Sequence, residues 1–252
     1  MNIIILGCNG NIGKFIADSF AKKKENKVFG LDLDPSYNGL CENVKYFQNN
    51  FIEYGFDPEL KKIINSSEKE LCFINMIAKD YPVTKSSKHS FLCSKNPFEL
   101  TLDEICESYK ITLGSSYLLI QELIKLNEKK IHLILMGSIY SRYLANPENY
   151  SAKKEIFKPV AYSLSKSAQN MLFKEACRSL SNSLFRINMV TLGGVFLNQN
   201  KEFVLKYSSK VPLKKMVDLS DIENCLNWII FKSPNIVNGS EFLIDGGWSL
   251  AN

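Results

Sequence analysis

The hydrophobic positions of the chain follow two periods in turn. Short apolar, often β-branched runs read as strands: Asn2 to Leu6, Lys27 to Leu31, Val44 to Phe47, Leu71 to Asn75, Ile131 to Met136, Leu184 to Val190 and Glu241 to Ile244. Between them, apolar residues recur at helical spacing, as in Ile12, Phe15, Ile16 and Phe20, or Ile222, Leu226, Ile229 and Ile230. A helix is expected from Pro58 to Ile64, another from a capping box of Thr101 and Glu104 to about Leu126, and a third from Ala161 to Arg178. Ser220 with Glu223 is expected to cap the last helix. This alternation predicts an α/β fold: a Rossmann-like, doubly wound parallel sheet of about seven strands in three α/β/α layers. No repeat or linker divides the chain, so residues 1–252 are read as one domain.

The turn after the first strand carries the first chemical signal. Gly7, Gly10 and Gly13 sit in Gly7-Cys8-Asn9-Gly10-Asn11-Ile12-Gly13, between a strand and a helix, and Asp32 ends the second strand run 19 residues after Gly13. Glycines there let the backbone turn and let a pyrophosphate reach the free N–H groups of the helix N-terminus, while an aspartate at that distance accepts from an adenosine ribose and repels a 2′-phosphate. NAD is therefore expected in preference to NADP. A plain turn aspartate in Asp32-Leu33-Asp34-Pro35 is the competing account. Ligands of such sheets lie at the strands' carboxyl ends, which puts Asn75 beside the cofactor.

Tyr162 and Lys166 are spaced by one helical turn, so they share a face. An ammonium beside a phenol favours the phenolate and suits the pair to acid/base work. By itself the pattern is weak, and an exposed tyrosine near a solvated lysine explains most such matches. Two polar segments, Lys79 to Leu100 and Ser141 to Val160, read as loops, the second as a lid or substrate loop with Tyr143, Asn146, Asn149 and Tyr150. His89, in the first, reads as solvated.

Composition narrows the classes. Hydrophobic residues at 45% and charged residues at 23% are those of an ordinary globular protein. No apolar run is long enough to span a bilayer and no signal-peptide pattern opens the chain, so the expected compartment is the cytoplasm, with no membrane partner. Seven scattered cysteines and two histidines fit neither a disulfide framework nor a metal site, and no metal is expected. The net charge of +5 is dispersed in short lysine groups without a recognition motif, which argues against nucleic acid as a partner.

Together, Gly7, Gly10 and Gly13, Asp32, Asn75, Ser138, Tyr162 with Lys166, Asn188 and Ile244-Asp245-Gly246-Gly247 resemble the short-chain dehydrogenases/reductases along essentially the whole chain. The resemblance implies Tyr162 as general acid/base, Lys166 as the group that lowers its pKa and holds the nicotinamide ribose, and Ser138 as the donor to the reacting oxygen. It implies NAD contacts from Gly7, Asn9, Gly10, Asn11, Ile12, Gly13, Asp32, Asn50, Asn75, Tyr162, Lys166, Gly193 and Val195. It departs from the family at Thr112, which stands where a catalytic asparagine is usual, and at Asn50, where an aspartate is usual. Ser138 and Tyr162 are 24 residues apart, longer than the common spacing. That interval, with Gly193 to Gln199 and Val211 to Leu213, looks most like members of bacterial surface-sugar pathways, including flagellin and nonulosonic-acid glycans. The implied activity is an NAD(H)-dependent hydroxyl/carbonyl oxidoreductase acting on a polar substrate, a sugar or nucleotide sugar, in a homotetramer or homodimer. The alternative is an NAD-binding relative with impaired catalysis that serves as a sensor or assembly partner.

Overall fold

The computed structural model describes residues 1–68, 70–80, 98, 100–149, 158–182 and 184–251; His89 and Tyr150 lie outside them. Seven parallel strands run in the order β3-β2-β1-β4-β5-β6-β7, with β1 Asn2–Leu6, β2 Lys27–Asp32, β3 Val44–Gln48, β4 Leu71–Asn75, β5 Ile131–Ser138, β6 Phe185–Leu192 and β7 Glu241–Ile244. Strand order reverses between β1 and β4, which opens the crevice where doubly wound sheets bind ligands. In register, Leu6 lies beside Leu31 and Asn75, so the ends of β1, β2 and β4 are level around that crevice.

The alternation of side chains along each strand divides the core. Ile4, Leu6, Phe29, Phe73 and Leu133 face one layer, which holds α3 (Pro58–Ser66), α5 (Gly114–Ile124) and α6 (Val160–Leu180). Ile3, Ile5, Val28, Ile74 and Ile134 face the other, which holds α1 (Asn11–Ala21) and α8 (Leu219–Phe231). Both faces being covered, β1 is buried throughout, as a near-continuous apolar strand of a parallel sheet should be. Short helices α2 (Phe51–Tyr54), α4 (Leu102–Ser108), α7 (Lys201–Ser209) and α9 (Trp248–Ala251) complete the described α-helices. No described helix is long and apolar enough to cross a membrane.

Two local expectations change. Asp218, not Ser220, caps α8 through a box with Asp221, and Glu223 instead accepts from Ser19 Oγ on α1. The run after Thr101 does open with the predicted capping box, but it is not one α-helix. A π turn, Tyr109–Leu113, separates α4 from α5, and the Thr112 carbonyl in it accepts the Ser115 and Ser116 hydroxyls at 3.2 and 3.4 Å.

Candidate active site

The glycine turn is fixed by steric fit. Gly7 has φ of +78°, and a Cβ on Gly13 would sit 2.2 Å from the Gly7 carbonyl oxygen, so neither position accepts a side chain. Helix α1 therefore begins hard against the end of β1. Its N-cap, Gly10, offers no side-chain cap, and no acidic residue occupies the first turn. The leading N–H groups, from Asn11 to Gly13, are left for an anion.

Two cavities flank this turn and share Gly7, Gly10, Met76 and Ala78 as walls. The first, about 430 Å³, is also lined by Asp32, Asn49, Asn50 and Ile111. Asp32 accepts from the Asn9 N–H at 2.8 Å through one carboxylate oxygen and from the Leu33 N–H at 2.7 Å through the other, so the carboxylate is fixed at the rim. The second cavity, about 330 Å³, is lined by Asn11, Ile12 and Gly13 with Gly137, Tyr162, Lys166, Asp80 and Leu197. Two connected spaces across a glycine turn, one ending at a fixed carboxylate and the other at a tyrosine and a lysine, fit the two halves of a dinucleotide.

Tyr162 and Lys166 line the second cavity, and Ser138 joins them through the Tyr162 phenol. Ser138 ends β5, is 6% exposed and hydrogen-bonds the Tyr162 phenol. The Lys166 ammonium lies 5.9 Å from the centre of the Tyr162 ring. It donates to the Met136 carbonyl at 2.7 Å and to Gln169 Oε1 at 3.0 Å. Burial holds Lys166 down, to about 8, against the opposing charge of Asp80. Burial and then Asp80 push the Tyr162 phenol upward, and the Ser138 hydrogen bond only partly offsets them. Lys166 lowering the phenol, as the spacing alone suggests, is thus not the leading effect: the ammonium spends its hydrogen bonds on Met136 and Gln169.

The family described as Enoyl-(Acyl carrier protein) reductase matches residues 57–249, more than half of the chain. The chain belongs to the short-chain dehydrogenase/reductase family. A curated relative, post-translational flagellin modification protein A of Campylobacter coli, is 27% identical over 98% of both chains. Among solved structures, a short-chain dehydrogenase of Leptospira borgpetersenii with bound NAD+ superposes with a TM-score of 0.76 at 24% identity, covering 98% of this chain and 92% of the other. A 4-hydroxyisoleucine dehydrogenase complexed with NADH gives 0.80 at 20% identity, over 100% and 99% of the two chains.

Other positions expected from this family are arranged less directly. Asn75 is 1% exposed and lines neither cavity; its amide donates to Ser115 and Ser116 at 3.1 and 2.9 Å and accepts from the Ile77 N–H, bracing the Met76 to Ala78 wall from behind. The Asn9 side chain holds the loop after β2 through Ser36 and Asn38. Gly193 and Val195 do not line the second cavity, which Leu192 and Leu197 reach instead. Gly193 packs under Asp245, and Val195 bridges to Val217. Asn188 is fully buried inside β6 and bonds His132, Val237 and Ser240, a structural position. Thr112 is fully buried, and its hydroxyl accepts from the Lys79 N–H at 3.0 Å.

Three residues at the site carried no expectation. Asp80 binds the Lys158 ammonium through both carboxylate oxygens, and Lys158 lies 4.7 Å from the centre of the Tyr162 ring. Both sit at edges of polar loops, where no periodicity signals them. Gln169 follows Lys166 by three residues, and that helical spacing was the available signal.

Proposed function

We propose that the chain is an NAD(H)-dependent oxidoreductase that interconverts a hydroxyl and a carbonyl on a polar, hydroxylated small molecule, a sugar or nucleotide sugar of surface-glycan synthesis, in the cytoplasm. The observation that carries this reading is that Tyr162, hydrogen-bonded to Ser138, and Lys166 line the cavity that continues from the glycine turn. Asp32 would take the adenosine ribose hydroxyls, the α1 N-terminus the pyrophosphate, and Lys166 the nicotinamide ribose. A nicotinamide held there supplies the hydride acceptor or donor. Tyr162 moves the proton on the substrate oxygen, taking it as the alcohol is oxidised and returning it in reduction, while Ser138 donates a hydrogen bond to that oxygen. The Asp32 carboxylate, with Asp34 beside it at the same rim, disfavours a 2′-phosphate, which supports NAD over NADP.

Support for a hydroxylated substrate comes from the segment after β5. Tyr140 and Tyr143 meet Trp248 edge-on at 6.4 and 5.6 Å, an aromatic wall next to Ser138. Asn149 is 2% exposed, and its amide has no hydrogen-bond partner among the described residues. The flagellin relative's name points the same way. Self-association is supported by exposed apolar residues on two surfaces, Tyr117 with Met171 on α5 and α6, and Trp228 with Leu243 on α8 and β7.

A second reading, a cofactor-binding protein without efficient turnover, is favoured by the Thr112 hydroxyl being taken by Lys79 and the phenol being pushed up. Purified protein assayed with NAD(H) and activated sugars separates the two. Turnover that falls ~100-fold or more in Tyr162→Phe, with NADH binding retained, supports the first. Tight NADH binding without turnover on any substrate, and no difference in Tyr162→Phe, supports the second.

A further inference from the structure

Behind Lys166 lies a line of buried side chains. Gln169 is fully buried on the same face of α6, and while its oxygen accepts from the Lys166 ammonium, its Nε2 donates to Ser116 Oγ at 2.8 Å. Ser116 Oγ also accepts from the Asn75 amide at 2.9 Å and reaches the Thr112 carbonyl at 3.4 Å. Asn75 in turn holds the Ile77 N–H at 3.1 Å, between Met76 and Ala78, which line both cavities. The line therefore runs from the ammonium beside Tyr162 to the backbone on which a dinucleotide would rest. Its members span β4, the π turn, α5 and α6, and each is at most 4% exposed.

We infer that Gln169 is a positioning residue: its amide aims the Lys166 ammonium at Tyr162 and fastens it to the Asn75 turn beneath the cofactor cavity. This rests on the reading of Tyr162 and Lys166 as the acid/base pair. The chemistry of the side chain supports it. An ammonium has three donors and no acceptor, so it needs fixed oxygens to hold one direction. Met136 O and Gln169 Oε1 supply two, leaving the third N–H for the open side of the cavity. A primary amide orients but does not ionise at ordinary pH, so this line holds the lysine without carrying its proton inward. Protons of the pair are left the side where Asp80, half exposed, stands between the site and solvent. The Thr112 side chain takes no part in the line, which uses only its carbonyl.

The test reads the ammonium itself and needs no substrate. Full-length protein with lysine labelled at Cε and Nζ is titrated by NMR, the Lys166 signal being assigned by its loss in Lys166→Arg. Gln169→Met, nearly isosteric, removes the oxygen, so the charged form loses an acceptor and the proton should leave about tenfold more readily. Gln169→Glu places a carboxylate there and should make the proton leave at least about tenfold less readily. Opposite shifts in the two variants, with NADH affinity weakened in Gln169→Met, are the expected result. An unchanged Lys166 titration in Gln169→Met, or shifts of the same sign in both, overturns the inference. If Gln169→Met does not fold, Ser116→Ala, which removes the other anchor of the amide, is read in its place: easier loss of the proton supports the inference and no change overturns it. The reading of Tyr162 as acid/base stands or falls separately, on turnover of Tyr162→Phe.

Discussion

Asp80 grips Lys158 through both carboxylate oxygens, at 2.6 and 2.8 Å, and so holds the Lys158 ammonium 4.7 Å from the centre of the Tyr162 ring. The residue expected to exchange the proton is thus flanked by two ammoniums, Lys166 on the buried side and Lys158 on the outer side. The carboxylate works against both, since its charge raises the Tyr162 phenol. Asp80→Asn removes that charge. The phenol should then ionise at lower pH, and the alkaline rise of the oxidation rate, followed as log kcat/KM against pH, should move to lower pH. A profile that stays in place, or moves up, would show that Asp80 does not act on Tyr162.

The glycine turn separates a steric role from a ligand role. A Cβ on Gly13 meets the Gly7 carbonyl at 2.2 Å, whereas one on Gly10 meets nothing closer than 3.4 Å. Gly13→Ala is expected to cost about 1–3 kcal/mol or more by forcing α1 off the strand end, visible as a lower Tm. Gly10→Ala should leave Tm nearly unchanged and weaken NADH binding, read by fluorescence titration, because its methyl enters the approach to the helix N-terminus. Equal thermal stability of the two variants would contradict this geometry.

Asp32 is held rigidly by two backbone N–H groups, so its charge cannot swing away from an incoming phosphate. Asp32→Ser should raise the ratio of NADP to NAD affinity by about tenfold or more, roughly the worth of one charge-assisted hydrogen bond and the relieved repulsion. Isothermal titration with both cofactors measures it. An unaltered ratio would return Asp32 to the role of a simple turn residue.

Lys166 links the site to the pH dependence of stability. Its folded value, about 8, lies below the 10.5 of an unperturbed lysine. Between those values the unfolded chain keeps the proton and the folded chain has released it, so this residue makes folding more favourable as pH rises, by up to about 3 kcal/mol in all. Below pH 8 both states hold the proton and the full cost of burying the charge is felt. Buried Cys8 and Cys72, whose thiols are pushed up, act in the opposite direction at high pH in any variant. The difference in urea unfolding free energy between wild type and Lys166→Met should therefore shift in favour of wild type from pH 8 to 10.5. A flat difference would mean that Lys166 is not charged and buried as described.

The sheet and its ligand crevice were legible because they follow from local rules. Ile3 and Ile4 alternate between the layers, Gly7 to Gly13 separates a strand from a helix, and Tyr162 and Lys166 share a helix face whatever surrounds them. What stayed hidden depends on contacts between distant segments. Asp80 and Lys158 are far apart in sequence and meet only because β4 ends and α6 begins beside Tyr162. The direction of the Tyr162 shift could not be read from spacing, since burial and Asp80 outweigh a lysine one turn away. The cap of α8 was misplaced by two residues because Asp218 and Ser220 both carry capping chemistry, and only the packing of Glu223 on Ser19 decides between them.

The π turn at Tyr109–Leu113 sets how α5 is rotated about its own axis. Each residue of a helix advances the side chains by about 100°, so the turn acts as a phase adjuster between α4, which is stapled to α6 by Ser108 and Ser165, and α5, which carries Ser115 and Ser116. Removing one residue from it, while keeping every side chain that touches the cavities, would swing both serines out from under Asn75 and turn Leu119 and Leu123 out of the core. The chemistry around Tyr162 is in that sense timed by a count of backbone units some fifty positions earlier in the chain, in a segment that need not touch substrate at all.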